Sequence, residues 1–412
     1  MNAADNAWVL VSSALVLLMT PGLAMFYGGM TRAKNVLSTM MHSFFLMGLA
    51  SIIWLFYGFS LAFGPDALHG LLGGTDYFGL NGIGGGLFPD LSDPSKTMTI
   101  PGTTFMIFQC MFAVITPALI SGAFAERMKF SSFIVFMILW ITFVYCPIAH
   151  WVWGPGGWLS GLGALDFAGG TVVHINAGVA ALACALVLGK RKGYGTVAMP
   201  PHNLTLTLLG AGLLWVGWFG FNAGSALTAG ESASMAFVVT HMATAAAALS
   251  WVFAEWIIRG KPTTLGVASG AVAGLVAITP ASGYVGPISS VILGAVAGVV
   301  CYLAVLAKSK LGYDDSLDVV GVHGVGGTWG AIATGLFASK LINASAADGL
   351  FFGNPGQVWI QIVAVVATIV YSFVLSLVIL YIVKAVMGLR VSEEDEVVGV
   401  DTSVHGEAGY NL

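Results

Sequence analysis

The chain has 412 residues, of which 57% are hydrophobic and only 8% charged, against about 25% charged in ordinary soluble domains. This balance excludes a water-soluble globular fold. A dilute net charge of −4 without a basic stripe leaves no footprint for nucleic acid. The composition is that of a polytopic membrane protein, and its 55 glycines suit helices that pack through small faces.

A helix needs roughly 20 apolar residues to cross the hydrocarbon. Eleven runs meet that test in chain order: 8–30, 37–63, 98–124, 130–153, 169–188, 204–226, 233–258, 264–283, 288–307, 318–339 and 358–387. The first lacks a basic flank and a small-residue cleavage site, so it is expected to be a retained span rather than a signal peptide. The longest loop, 64–96, is rich in Gly and Asp. The tail from Gly388 is polar and acidic, with Glu393, Glu394, Asp395 and Glu396. Its residues alone fit a disordered terminus as well as an ordered one. Cys110, Cys146, Cys184 and Cys301 each sit in an apolar run and form no C-x-x-C pair, so they are expected to be buried and inert.

The basic residues set the orientation. All 15 lysines and arginines except Lys96 and Lys340 fall on one side of these spans. By the positive-inside bias this predicts an outside N-terminus and a cytoplasmic C-terminus in the cell membrane.

Two spans carry a histidine in closely similar settings: Gly169-Gly-Thr-Val-Val-His-Ile-Asn-Ala-Gly178 and Val319-Val-Gly-Val-His-Gly-Val-Gly-Gly327. Each reads Val-His-x-x-small-Gly. They lie on the fifth and tenth spans, and an offset of five, being odd, turns the second block upside down. An all-α fold follows, with eleven transmembrane helices built as a five-plus-five inverted repeat and one added helix. Sites in such folds lie near the midplane where the halves meet. The expected organisation is a membrane domain over 1–387, with repeats at about 8–188 and 204–339, an extra helix at about 358–387, and a cytoplasmic tail over 388–412.

An ionisable group at membrane depth is costly and points to function. An apolar lumen disfavours a charged imidazole, so His174 and His323 are expected to be neutral, each with one donor and one acceptor nitrogen. Two such rings can make a polar rail for a small neutral molecule or relay a proton. Each could also be a satisfied packing residue. Asp166 and Asp318 are the acids near them. No third ligand stands at helical spacing to either histidine, so no metal is expected. No H-E-x-x-H or G-x-S-x-G pattern is present, and no cofactor or enzymatic activity is expected. Aromatic residues are the second feature. Phe108 and Phe112 share a helix face, Trp153 ends the fourth span, and Trp218, Phe219 and Phe221 cluster on the sixth. Such stripes are often core or lipid-facing, yet aromatic faces also hold small cations.

Several segments together resemble the ammonium transporter (Amt/Mep/Rh) family, nearer its bacterial Amt branch. They are Asp166-Phe-Ala-Gly-Gly-Thr-Val-Val-His-Ile-Asn-Ala-Gly178, Phe108-Gln-Cys-Met-Phe112, Gly122-Ala-Phe-Ala-Glu-Arg127, Gly217-Trp-Phe-Gly-Phe-Asn-Ala-Gly-Ser225 and Asp318-Val-Val-Gly-Val-His-Gly-Val-Gly-Gly327. The resemblance implies a homotrimer with one pore per subunit, conducting ammonia drawn from ammonium. It assigns Trp153, Phe108 and Ser225 to an outer recruitment site and Phe112 and Phe221 to a phenyl gate. It makes His174 and His323 a pore-lining pair with Trp218 beside it. Asp166 becomes the acid that supports the outer site or assists deprotonation. The tail becomes a docking element for a PII-type signal protein. The stretch from Trp153 to Asp166 is one residue longer than the common pattern. The resemblance favours net charge movement, and an ammonium sensor with little transport is the alternative on the same scaffold.

Overall fold

The computed structural model describes every residue except Ser92, Pro94, Asn411 and Leu412. Two positions of the long loop and the last two of the tail therefore lie outside the described residues. Nine helices are long and apolar enough to cross a membrane among the described residues. They are α1 (Ala3–Met30), α2 (Ala33–Phe63), α3 (Gly102–Phe124), α4 (Phe130–Leu162), α5 (Gly170–Leu188), α6 (Leu204–Gly224), α7 (Glu231–Arg259), α9 (Pro287–Leu311) and α11 (Gly356–Met387). Two shorter helices bring the bundle to eleven: α8 (Thr264–Ile278) and α10, which runs Val320–Val325 and continues as Gly326–Phe337. The chain is an all-α, multi-pass membrane protein.

Helix ends follow local polar chemistry rather than the apolar pattern. The first helix begins at Ala3, not near Trp8, because the Asn2 side chain accepts from the Ala4 and Asp5 amides. Asn203 and Thr263 cap α6 and α8 in the same way. Gly260 and Gly312 close α7 and α9 in left-handed conformation.

Membrane helices gain little from the hydrophobic effect against one another and rely on close packing. Helices α1 and α6, the first of each block of five, show this. A Cβ on Gly210 would lie 2.3 Å from the Phe26 nitrogen, and one on Gly220 would lie 2.5 Å from the Leu15 Cβ. The last helices of the two blocks, α5 and α10, also meet. A Cβ on Gly178 would lie 2.2 Å from the Gly324 nitrogen, and one on Gly327 would lie 2.9 Å from the His174 Cβ. Each glycine of the shared Val-His-x-x-small-Gly motif thus abuts the histidine segment of the other block.

The loop between α2 and α3 holds a small antiparallel hairpin, β1 (Leu87–Pro89) with β2 (Thr97–Pro101), which the composition did not indicate. The Asn2 amide donates to the Thr99 carbonyl at 2.8 Å, so the chain start and this loop share one face. On the opposite face the tail is ordered, with short helices α12 (Glu393–Val398) and α13 (Val400–His405). Asp401 accepts from the Leu37 and Ser38 amides at 2.9 and 2.8 Å, and Asn35 accepts from the Val400 amide. Arg390 pairs with Glu396 at 2.7 Å.

Candidate conduction pathway

Both histidines lie in π-helical turns, Gly170–Ile175 and Val320–Val325. Such turns shift side chains out of the regular helical register and are frequent at functional sites. What fixes the first turn is Asp166. Its Oδ1 accepts from the Gly169 and Gly170 amides at 2.8 and 2.6 Å, and its Oδ2 from the Thr171 and Val172 amides and the Thr171 hydroxyl. At the second turn Asp315 does the corresponding work, accepting from the Val320 amide at 2.8 Å. Each acid stands eight residues before its histidine, at 166 and 174 and at 315 and 323. Asp318, the acid singled out from the sequence, instead pairs with Lys308. The repeated spacing was the signal that could have found Asp315.

The histidine rings face each other, with Nδ1 to Nδ1 at 3.3 Å and centroids 5.3 Å apart. Both residues are buried. The Thr279 hydroxyl, at the end of α8, lies 3.3 Å from His174 Nε2 and accepts from Trp218 Nε1 at 2.8 Å. Its proton goes to the Leu275 carbonyl at 2.7 Å, the shorter contact. Counting donors then puts the His174 proton on Nε2, toward Thr279. His174 Nδ1 is left to accept from His323 Nδ1. Sequence reading missed Thr279, because nothing in its own segment marks a hydroxyl aimed at another helix.

Beside the rings is an apolar slot of about 10 Å³, walled in part by Ile115, Val173, Leu214, Trp218 and Val272. That is room for roughly one water-sized molecule. Trp218 stacks on His174 at 5.4 Å and 22°. The slot is closed on one side by Phe112 and Phe221, whose ring centroids are 4.4 Å apart. Beyond them, on the face with the hairpin loop, is a second cavity of about 260 Å³. Trp153, Phe112, Ser225 and Asp166 line it, joined by Gln109 and Tyr284, which the sequence reading did not single out. Trp153 meets Phe112 edge-on at 5.7 Å, and its Nε1 donates to the Asp166 carbonyl at 2.9 Å. Ser225 donates to the Phe221 carbonyl at 2.8 Å, which leaves its oxygen free to accept from a guest. Phe108 is fully buried and outside this lining; it backs Phe112 at 5.0 Å, so it can serve the cavity only at one remove.

An aromatic-walled cavity, two phenyl rings in contact and tilted at 43°, and a narrow polar rail are thus in series. The profile described as Ammonium Transporter Family matches residues 7–410. The chain belongs to the ammonium transporter family. It is 54% identical to the ammonium transporter of Bacillus subtilis (strain 168), over 100% of this chain and 99% of that one. It is 48% identical to the ammonium transporter Amt1 of Archaeoglobus fulgidus, over the full length of both. Crystalline Mep2 from Saccharomyces cerevisiae is similar in fold, with a TM-score of 0.88 at 36% identity, covering 96% of this chain and 88% of that one. A solved structure described as a sensor Amt protein gives a TM-score of 0.87 at 30% identity, covering 97% of this chain and 98% of that one. In this ammonium transporter family member none of the four cysteines lines either cavity, and all four are buried free thiols.

Proposed function

We propose that the protein recruits ammonium in the cavity at Trp153 and Ser225, deprotonates it near the Phe112–Phe221 gate, and conducts ammonia past His174 and His323 to the cytoplasm with net charge movement. The observation that carries this reading is the histidine pair at 3.3 Å in a slot of about 10 Å³ behind two abutting phenyl rings. Ammonium and potassium ions are similar in size, but only ammonium can shed a proton. Taking an ion out of water without replacement ligands costs tens of kcal/mol in an ideal low-dielectric medium. A slot this narrow and apolar therefore bars both cations and passes a small neutral base. The facing Nδ1 atoms offer that base, or a proton, a continuous polar edge.

On this reading the hairpin face, with the N-terminus, is outside, and the tail face is cytoplasmic. The membrane domain spans 1–387, with repeats over about 8–188 and 204–339 and an extra helix over about 358–387. Three copies assemble, and the tail over 388–412 receives a PII-type signal protein. Phe108 is the outer site's backing, and Phe112 sets the pace of entry. The likeness to a sensor Amt protein favours a second reading, in which ammonium binding is reported to a partner with little flux.

Current recording on supported membranes, with the purified protein in liposomes and pulses of ammonium or potassium, tests both. The expected result is an ammonium current without a potassium current. His174→Ala or His323→Ala lowers that current or admits potassium. Wild-type flux and selectivity in both variants would sink the rail. Ammonium-dependent partner binding without flux would favour the sensor.

A further inference from the structure

Gln109 is over nine-tenths buried, lies on α3 between Phe108 and Phe112, and lines the outer cavity. Its Oε1 is sealed from bulk water and has no hydrogen-bond partner among the described residues. An unsatisfied buried amide oxygen is unfavourable for the empty protein and calls for an explanation. The other walls of the cavity supply π faces, at Trp153 and Phe112, and two hydroxyls, at Ser225 and Tyr284. Aromatic faces attract any small cation and do not fix its N–H directions. Ammonium has four N–H donors and no acceptor, so it needs oxygen acceptors pointing into the cavity. The Asp166 carboxylate, close by, is already engaged by five donors. The side-chain acceptors left over are the Ser225 and Tyr284 hydroxyls and the Gln109 amide, and of these the amide oxygen is the one buried without a partner among the described residues. No hydrogen bond holds that amide among the described residues, so its oxygen can turn to the guest.

We propose that Gln109 is a substrate-binding residue of the outer cavity, its side-chain carbonyl accepting one N–H of the ammonium ion held against Trp153 and Phe112. The inference rests on the reading of this cavity as the recruitment site. It adds a polar group that neither the aromatic pattern nor the histidine pair implies. It also gives the empty protein's unpaired amide a cause, since the partner is the substrate.

Two measurements on Gln109→Leu and Gln109→Met, made on the whole protein in detergent and in liposomes, test the proposal. Ammonium currents should show a half-saturating concentration raised about ten-fold, the loss of one hydrogen bond to a charged group. The maximal current should change far less. Without ammonium, the thermal midpoint should hold or rise, because an apolar side chain replaces an unsatisfied polar one. Gln109→Asn should stand between wild type and Gln109→Leu in half-saturation. An unchanged half-saturation in Gln109→Leu and Gln109→Met, beside a robust wild-type ammonium current, overturns the inference and leaves the transport reading intact. So does a lowered midpoint with the maximal current lost in step, which is the signature of a purely structural glutamine. A wild-type protein without ammonium current defeats the transport reading itself.

Discussion

Thr279 shows how one hydroxyl can govern a buried imidazole. It accepts from Trp218, sits within reach of His174 Nε2 and gives its own proton to the helix backbone. The Thr279→Val exchange keeps the shape and removes the oxygen, leaving the Trp218 and His174 N–H groups without an acceptor. A buried donor stranded in this way costs about 1–3 kcal/mol. The expected outcome is a lower ammonium flux, by about ten-fold, with the thermal midpoint of the purified protein also reduced. Flux equal to wild type in Thr279→Val liposomes would remove the hydroxyl from the account. Asp166 makes a contrasting case. Five donors converge on its carboxylate, and a base needs an unoccupied lone pair, so this acid is suited to holding the His174 turn rather than taking a proton.

At the scale of elements, the meeting of α5 and α10 is the most exacting contact. Gly178 lies against the Gly324 backbone so closely that even one methyl has no room. Gly178→Ala is therefore expected to push the two π turns apart. Overpacking of this kind costs typically 1–3 kcal/mol. A drop in thermal midpoint together with impaired flux is the predicted result, and ordinary stability with ordinary flux would contradict it. These elements also show what the sequence could and could not reveal. Eleven spans were legible because an apolar run of membrane length has few other uses, and the histidine pair because its surroundings repeat. Helix starts such as Ala3 were not, since a cap is a polar residue outside the run. The hairpin at Leu87–Pro101 was hidden in a Gly-rich loop whose pairing depends on its neighbours. Phe112 and Phe221 lie 4.4 Å apart, and Trp218 stacks on His174. Thr279, Gln109 and Tyr284 join them only through folding: Thr279 and Tyr284 come from the end of α8 and the turn after it, and Gln109 sits in a segment read for its phenylalanines.

Over the whole molecule, a charged belt on the tail face links segments far apart in the chain. Glu126, at a left-handed φ of 75°, accepts from Arg32 and Arg191, and Arg191 continues to Asp314 at 2.9 Å. Burial alone would push the Glu126 carboxyl up; Arg191 and then Arg32 outweigh it and hold the group below the usual carboxylate range. Next to this belt the tail clamps α2, with Asp401 serving two amides at its start. Asp401→Ala removes that cap, worth about 1 kcal/mol. The tail should then open more often, and limited proteolysis within 393–405 should accelerate while the membrane core stays intact. Cleavage at the wild-type rate would show that the remaining contacts suffice.

The crosswise seating of each motif glycine on the opposite histidine segment has an evolutionary corollary. Neither half can drift alone, because a bulkier residue in one copy needs a matching concession from its twin. The close approach makes the two segments a mutual constraint, and paired changes at 178 and 324, or at 327 and 174, are where diverging lineages should record it.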